Sequence, residues 1–480
     1  MSAPKTQDIV AKLWTLCHVL KDDGVTYHQY VNELTYLLFL KMAQETGSEQ
    51  QIPSGYRWAD LLSRDGTALL EHYRTLLVYL GTHGSPTVQA IFHDASTSVR
   101  QPRHLHKLVT DINALDWYSA RHEGLGDLYE GLLEKNATET KSGAGQYFTP
   151  RPLIDSIVAV CRPQPGEVIQ DPACGTIGFL VAAHRFIQSQ TDELFLLSPE
   201  QREFQQRQAY VGMELVPDTH RLALMNGFLH DMHGPVILGD TLGNEGKRLP
   251  VSDLILSNPP FGTKKGGGLP TRDDFTFPTS NKQLAFLQHI VRALRKPAGK
   301  KPGGRAAVVV PDNVLFEDDI GAHIRTDLMG KCRLHTILRL PTGIFYAQGV
   351  KTNVLFFDRQ AADTGATDEV WIYDLRTNMP AFGKRTPLER EHFAEFEAAY
   401  GKDAYGRSKR IDQGTTGRFR RFTREQIRER GENLDLLWLK DDAHTHHDDL
   451  PEAEELVASV LGKLDNAVTE MRALEKELAK

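Results

Sequence analysis

The chain has 480 residues, of which 40% are hydrophobic and 25% are charged, and its formal net charge at pH 7 is −7. This length predicts about two or three globular domains, and the sequence lacks the run of about eighteen apolar residues that is needed to span a membrane. The negative net charge argues against tight DNA binding by this chain alone, because proteins that do so usually carry a strongly basic surface.

The cysteines and the amino terminus predict the compartment. Cys17, Cys161, Cys174 and Cys332 are scattered without CxxC or Cys/His ligand spacing. The first residues lack the basic patch and apolar core of a secretion signal. We therefore expect a protein of the reducing cytoplasm, with neither disulfides nor a metal site.

The pattern of apolar residues changes twice along the chain. Over residues 1–140, apolar residues recur at three- and four-residue spacing, as in Ile9–Leu20 and Tyr30–Met42, which predicts a helical domain. Over residues 141–386, short apolar runs alternate with helical stretches, which predicts an α/β sheet that is parallel for the most part. Residues 387–480 are charged again and are predicted to be helical, and only helical and loop-like sequence is expected after the last apolar run, Asn353–Arg359 (NVLFFDR).

A loop that enters a helix precedes the sheet, in Lys141–Arg151 (KSGAGQYFTPR). Thr149 is predicted to cap that helix, with Pro150 in its first turn. From the residues alone this is only a connection between two elements.

The first strand of the sheet, Glu167–Gln170, runs into the turn Asp171–Leu180 (DPACGTIGFL). Gly175 and Gly178 allow a ligand to approach the backbone closely, because no Cβ stands in the way, and the following helix offers free N–H groups. The turn matches neither GxGxxG nor a phosphate-binding loop, which favours a ligand that is not rich in phosphate, such as S-adenosylmethionine. Glycine is also common in tight turns that bind nothing.

Acidic residues end three successive strands. Asp171 follows the first strand, Glu214 ends Tyr210–Glu214, and Asp240 ends Val236–Asp240. A carboxylate at the end of the second strand can accept hydrogen bonds from ribose hydroxyls, and Asp240 is placed to face an adenine ring. A single acid here is also an ordinary polar strand end, but the three together are predicted to meet in one ligand crevice.

The most specific motif is Ser257–Phe261 (SNPPF), which follows the apolar strand Asp253–Leu256. An exocyclic amine on an aromatic ring is a poor nucleophile because its lone pair is delocalised. The Asn258 carboxamide oxygen and a backbone carbonyl fixed by Pro259 and Pro260 can each accept one N–H of that amine. This pairing localises the lone pair and aims it at a methyl donor.

Phe261 offers a ring face on which a base flipped out of a duplex can stack. The alternative is a Pro-Pro turn that merely ends a strand. Because Asn-Pro-Pro-aromatic also occurs in enzymes that methylate RNA guanine or protein glutamine amides, the motif by itself predicts amine or amide N-methylation rather than DNA as the substrate.

Several segments stand in the order found in the γ-type adenine-N6 DNA methyltransferases: GQYFTPRPLI, DPACGTIGFL, VGMELVPDTHRLALMNGFLH, ILGDTL and SNPPFG. Within that group the chain resembles the modification subunits of type I restriction systems. Leu13–Ala43, Gly349–Asp358 and Glu432–Asp442 extend the resemblance over nearly the whole chain.

The resemblance implies an α/β fold in which a Rossmann-like, S-adenosylmethionine-dependent methyltransferase sheet (residues 141–386) is flanked by an N-terminal helical domain (1–140) and a C-terminal helical region for subunit assembly (387–480). It implies that the catalytic residues are Asn258, Pro259, Pro260 and Phe261. The residues expected to bind the cofactor, from the resemblance and the strand ends together, are Gln146, Tyr147, Phe148, Thr149, Pro150, Arg151, Asp171, Gly175, Thr176, Ile177, Gly178, Glu214 and Asp240. Ile177 stands where the family usually has a small residue. Because a branched residue takes a positive φ only with difficulty, we expect an ordinary backbone conformation there.

Self-sufficient DNA methyltransferases carry a sizeable target-recognition domain, which this sequence lacks. Together with the negative net charge, the resemblance implies that a specificity subunit reads the DNA and joins two copies of the methyltransferase. A restriction subunit (nuclease and translocase) is a further partner that the sequence leaves open. The expected function is methyl transfer from S-adenosylmethionine to N6 of a flipped adenine in DNA. The alternatives are a stand-alone DNA or RNA amino-methyltransferase, against which the missing recognition domain argues, and a catalytically silent scaffold, against which the intact motifs argue.

The last predicted helix, from about Pro451 to Lys480, carries an apolar seam. Its members alternate three- and four-residue spacing, which is typical of a coiled coil: Val457, Val460, Leu464, Ala467, Met471, Leu474 and Leu478. A helix of this length needs an apolar partner in water. The helices of a specificity subunit are one candidate, and the chain's own domain is the other.

Overall fold

The structure is a computed structural model that describes residues 6–16, 19–20, 24–117, 125–139, 149–263, 268–345, 350–383 and 386–440. The α-helices in these ranges are α1 (Thr6–Thr15), α2 (Tyr27–Glu45), α3 (Trp58–Leu62), α4 (Gly66–Leu80), α5 (Pro86–Ile91), α6 (Pro102–Asn113), α7 (Leu125–Glu139), α8 (Arg151–Cys161), α9 (Gly178–Gln190), α10 (Pro199–Arg207), α11 (Pro217–Leu229), α12 (Lys282–Ala293), α13 (Asn313–Phe316), α14 (Ile320–Lys331), α15 (Ala394–Tyr400) and α16 (Arg424–Glu429). The strands are β1 (Ile169–Asp171), β2 (Tyr210–Glu214), β3 (Val236–Leu238), β4 (Leu254–Ser257), β5 (Arg305–Pro311), β6 (Cys332–Arg339), β7 (Thr352–Arg359), β8 (Glu369–Asp374) and β9 (Phe419–Thr423).

The nine strands form one sheet in the order β3-β2-β1-β4-β5-β7-β6-β8-β9. Strands β1 to β5 are parallel, and β8 is parallel to β6. Strand β7 is antiparallel to β5 and β6, and β9 is antiparallel to β8. The predicted α/β sheet, parallel for the most part, is therefore confirmed. The chain moves from β1 outward to β3 and then returns to β4 on the other side of β1, so the carboxyl ends of β1 and β4 flank the point at which open α/β sheets bind ligands.

Hydrophobic cores lie on both faces of the sheet. Alternate residues of β5 supply both, with Ala307 and Val309 on one face and Ala306, Val308 and Val310 on the other. Helices α8, α9 and α15 cover the first face, and α12 and α14 cover the second. This double coverage is why the central strands read as continuous apolar runs.

The amino-terminal helices α1 to α7 bury a core of their own, which α11 completes. Leu222 and Met225 of α11 belong to that core. The neighbouring Arg221, which is also buried, donates hydrogen bonds to the carbonyls of Ile91 and His93, each at 2.9 Å. The helical part and the sheet thus share an element, and the predicted domain boundary near residue 140 stays a prediction. Among the described residues, no helix is long and apolar enough to cross a bilayer.

Strand β9, like β8, lies in a stretch that the sequence predicts to be helical and loop-like, so the prediction that no strand follows Asn353–Arg359 is wrong. Its sequence is FRRFT, and it pairs with β8 at the edge of the sheet. Phe419 packs against Trp371 with ring centroids 4.9 Å apart, and Arg420 lies over the Trp438 ring at 5.7 Å. Because arginine side chains can cover aromatic rings, this strand is held without the apolar run by which strands are usually recognised.

Candidate active site

The ends of β1 and β4 are joined by a buried hydrogen bond. The Ser257 hydroxyl donates to Asp171 Oδ1 at 2.7 Å, and the Ala173 N–H donates to the same oxygen at 3.0 Å. Asp171 is only 2% exposed. Burial raises its pKa from the ordinary 3.8 to about 7, and the two hydrogen bonds oppose that rise. Asp171 therefore fastens the turn after β1 to the start of the SNPPF segment.

The turn after β1 is joined to the end of β2. The Gly175 N–H donates to Glu214 Oε2 at 3.0 Å, and the Val216 N–H donates to Glu214 Oε1 at 2.8 Å. Burial raises the pKa of Glu214, and these backbone hydrogen bonds counteract it. Gly175 has φ +52°, and a Cβ at this position would point into open space. The turn thus presents bare backbone and a carboxylate side by side.

Ile177 corrects one expectation. Its φ is +60° and its ψ is 27°, so it adopts the left-handed conformation directly before α9, and the predicted ordinary conformation is wrong. The side chain is 1% exposed and packs in the core, and the Ile177 N–H donates to the Cys174 carbonyl at 2.7 Å. Asn226, which the sequence did not single out, donates to the Thr176 carbonyl at 2.8 Å. These contacts compensate for the steric cost of placing a branched residue in the left-handed backbone conformation.

Thr149 contacts the SNPPF segment rather than capping a helix. Its hydroxyl accepts a hydrogen bond from Asn258 Nδ2 at 3.0 Å. The residue in the cap position of α8 is Pro150, without a side-chain cap, so the prediction that Thr149 caps this helix is wrong. Since Nδ2 and Oδ1 lie on opposite sides of a carboxamide, this hydrogen bond fixes which way the Asn258 oxygen points.

Arg151 contacts the turn after β1, Asp171–Gly178, which we call the glycine turn. Its guanidinium is ion-paired with Glu130 of α7, and its Nη1 donates to the Gly178 carbonyl at 3.3 Å. Glu130 also pairs with Arg185, and the distance between Glu130 Oε2 and Arg185 Nη1 is 3.2 Å. Burial lowers the pKa of Arg151 to about 10. The sequence predicted Arg151 as a cofactor contact and missed Glu130, which links the amino-terminal helices to this turn.

Asp240 lies two residues beyond β3. Its Oδ1 accepts from the Leu242 N–H at 2.9 Å, and its N–H donates to Glu245 Oε2 at 2.7 Å. Thr241 Oγ1 donates to the Pro172 carbonyl at 2.6 Å, which ties this loop to the turn after β1. The ends of β1, β2, β3 and β4 are thus connected at one edge of the sheet.

Among the remaining predicted site residues, Pro259 and Pro260 follow Asn258 in the loop after β4, and the Pro260 carbonyl accepts from Gln283 Nε2 at 2.7 Å. Phe261 packs at the edge of the core beside Phe345, with ring centroids 6.1 Å apart and planes at 70°. Gln146, Tyr147 and Phe148 lie outside the described residues. Within the described ranges, no group of three or more His, Cys, Asp and Glu side chains is arranged to hold a metal ion.

A cleft of about 420 Å³ lies elsewhere, at the amino-terminal edge of β4. It is lined by several basic side chains, but these are paired with acids. Arg272 and Arg292 share Asp274, and Lys296 and Arg359 share Asp363. The connected strand ends, rather than this cleft, are therefore the candidate active site.

Comparison with known proteins places these features in a family. The N-6 DNA Methylase family model matches residues 120–447. The methylase subunit of the type I restriction enzyme StySJI from Salmonella typhimurium (strain LT2) is 52% identical, covering 98% of this chain and 95% of its own. The crystal structure of the type I restriction enzyme EcoKI M protein matches with a TM-score of 0.58 at 46% identity, over 98% and 96% of the two chains. A chain from a structural study of complex assembly and conformational transition in the type I R-M system matches with a TM-score of 0.74 at 28% identity, over 99% of both chains.

Proposed function

The chain belongs to the N-6 DNA methylase family and is the methyltransferase subunit of a type I restriction-modification system, and we propose that it transfers a methyl group from S-adenosylmethionine to N6 of an adenine in DNA. The observation that carries this proposal is the pair of side-chain hydrogen bonds around the SNPPF segment. Ser257 bonds Asp171 of the glycine turn, and Asn258 bonds Thr149 at the entry to α8. A loop suited to activating an amine is thereby held against a turn suited to a cofactor.

The residues at the strand ends fit S-adenosylmethionine. Its ribose has hydroxyls that donate to a carboxylate, which Glu214 offers beside the bare backbone of Gly175. The group has no phosphate, in agreement with a turn that lacks a phosphate-binding sequence. We propose that it is held by the glycine turn and the strand ends, that is, Asp171, Gly175, Thr176, Ile177, Gly178, Glu214 and Asp240, together with the Gln146–Arg151 segment. When bound, it supplies an electrophilic methyl group on a sulfonium.

Asn258 and Pro259 activate the amine in this proposal. With Nδ2 donating to Thr149, the Asn258 oxygen points away from that hydroxyl. We propose that this oxygen accepts one N–H of the target amine. The Pro259 carbonyl accepts the other N–H. Two acceptors on one amine draw its lone pair out of conjugation with the ring and orient it toward the methyl group. Phe261 stacks on the base, which must leave the duplex to reach this pocket.

Recognition of the DNA sequence is assigned to a separate specificity subunit that joins two copies of this chain, and a restriction subunit is a further candidate partner. The net charge of −7 supports this division of labour, because it makes strong DNA binding by the isolated chain unfavourable. The family named by the comparisons supports DNA as the substrate over RNA or a protein amide.

The test is to express the chain together with the products of its neighbouring genes and to digest the DNA of the host for mass spectrometry of methylated nucleosides. We expect N6-methyladenine with the wild-type chain and none with Asn258→Ala, while calorimetry shows S-adenosylmethionine binding in both. Near wild-type methylation by Asn258→Ala would refute the assignment of the site. Methylation by the isolated chain would favour a stand-alone enzyme, and absence of methylation in every assembly would favour a scaffold.

A further inference from the structure

The Asn258–Phe261 loop is held in part through its carbonyls. Proline has no N–H, so Pro259 and Pro260 remove two successive backbone donors from the loop. The Lys282 N–H donates to the Gly262 carbonyl at 3.2 Å. Gln283 Nε2 donates to the Pro260 carbonyl at 2.7 Å. Both donors belong to the first turn of α12, so one helix end holds the loop.

Gln283 is itself fixed in place. It is 1% exposed, and its backbone N–H donates to the Asn281 side-chain oxygen at 3.0 Å, as does the Leu284 N–H at 3.2 Å. Asn281 in turn donates through Nδ2 to Glu317 Oε2 at 2.7 Å. The start of α12 is therefore capped by a residue anchored to the segment after β5, and the Gln283 amide has little freedom to turn.

The hydrogen bond acts at the peptide next to the one that meets the substrate. The Pro259 carbonyl belongs to the Pro259–Pro260 peptide, and the Pro260 carbonyl belongs to the following one. The ring of Pro260 locks its φ, so only its ψ is soft between these two planes. Fixing the Pro260 carbonyl therefore also restricts the direction of the Pro259 carbonyl.

We propose that Gln283 is a positioning residue for methyl transfer, which acts by orienting the Pro259 carbonyl through its hydrogen bond to Pro260. This inference rests on the proposed function, because it assumes that the Pro259 carbonyl accepts from the target amine. A displacement of about 1 Å in a reacting group can lower a rate about 100-fold, so loss of this hydrogen bond is expected to affect the chemical step.

Gln288 provides a matched control on the same helix. It is also buried, its Nε2 donates to the Phe277 carbonyl at 2.8 Å, and its Oε1 accepts from the Phe277 N–H at 2.9 Å. Like Gln283, it is a buried glutamine that donates to a backbone carbonyl, but its partner is outside the catalytic loop. Methionine has nearly the same shape as glutamine and removes the donor at either position.

The experiment measures single-turnover methyl transfer by the full chain, assembled with the partners that give methylation. We expect Gln283→Met to lower the rate about 10- to 100-fold with little change in the KM for S-adenosylmethionine. Gln288→Met is expected to keep the wild-type rate, although both variants lose thermal stability. Equal rates for the two variants would overturn the proposal.

A second variant keeps the test decisive if Gln283→Met folds poorly. In Gln283→Glu a protonated carboxyl can donate to the Pro260 carbonyl and a carboxylate cannot. Relative to wild type, its rate is expected to rise as the pH is lowered from about 8 to about 6, because burial raises the pKa of a carboxyl into this range. A constant ratio would count against Gln283. An active Asn258→Ala would instead refute the proposed function, so the two failures are distinguishable.

Discussion

Replacing Asp171 with asparagine should change how the stability of the protein depends on pH. The buried carboxyl has a pKa of about 7, so above that pH the folded chain holds a buried carboxylate. The Asp171→Asn variant would keep the shape of the side chain and the oxygen that accepts from Ser257 and Ala173 at 2.7 and 3.0 Å. It would lack the charge whose burial is unfavourable.

The size of the effect follows from the change in pKa. The folded state binds the Asp171 proton more tightly than the unfolded state, so this carboxyl favours folding below about pH 4 and loses that contribution as the pH rises to about 7. A rise in pKa from 3.8 to about 7 corresponds to about 4 kcal/mol in total. Of this, about 2.5 kcal/mol is lost between pH 5 and pH 8.

The assay is urea unfolding of both chains without ligand at several values from pH 5 to pH 8. Other ionisable groups are common to the two chains, so their difference reports Asp171 together with its coupling to the neighbouring Glu214. We expect the variant to gain about 2.5 kcal/mol relative to wild type between pH 5 and pH 8. A difference in unfolding free energy that stays constant over this range would show that Asp171 titrates normally and would refute the reasoning.

Three further changes test two site residues and the carboxyl-terminal region. Phe261→Ala should slow single-turnover methylation, because it removes base stacking worth about 1–3 kcal/mol. Phe261→Trp should retain more activity than Phe261→Ala. Equal loss of activity in the two variants would exclude stacking. Glu214→Ala should weaken S-adenosylmethionine binding about 10- to 100-fold in calorimetry, because it removes a charged acceptor, and unchanged affinity would move the pocket elsewhere. Deletion of residues 457–480, which lie outside the described residues, should leave a folded, cofactor-binding chain that no longer assembles with the specificity subunit. A complex of full stoichiometry on size-exclusion chromatography would contradict that role.

The sequence predicts best where function depends on contiguous residues. The strand before Asp171, the strand that ends at Glu214 and the strand before Ser257–Phe261 lie close to their predicted positions, because each is a short apolar run followed by a motif. The prediction for Ile177 is wrong because it considers only the steric preference of a branched residue. In the folded chain, packing of the side chain in the core determines the backbone conformation. The local sequence makes Thr149 a good helix cap. Its actual partner, Asn258, is more than one hundred residues away, and no local pattern indicates such a contact.

The side chains that support the site could not be found in the same way. Glu130, Asn226 and Gln283 each act on a backbone carbonyl or an arginine that is distant in sequence, and a lone polar residue in a helix carries no local signal of such a partner. Strand β9 was missed for a related reason, since Arg420 lies over the ring of Trp438 and Arg421 pairs with Glu369 of β8. These features arise from tertiary packing, which periodicity does not encode.

Helix α11 has a consequence for how such chains can recombine. It follows β2 in the sequence, yet Leu222 and Met225 complete the core of the amino-terminal helices. A crossover near residue 140 between two diverged relatives would pack Leu222 and Met225 against side chains from the other relative. Each mismatched methylene in a core lowers the free energy of unfolding by about 1 kcal/mol. Exchanges that carry α11 along avoid this mismatch. Since β1 and β2 both precede that helix in the sequence, Glu214 and the glycine turn would then be inherited with the amino-terminal helices rather than with β3 to β9.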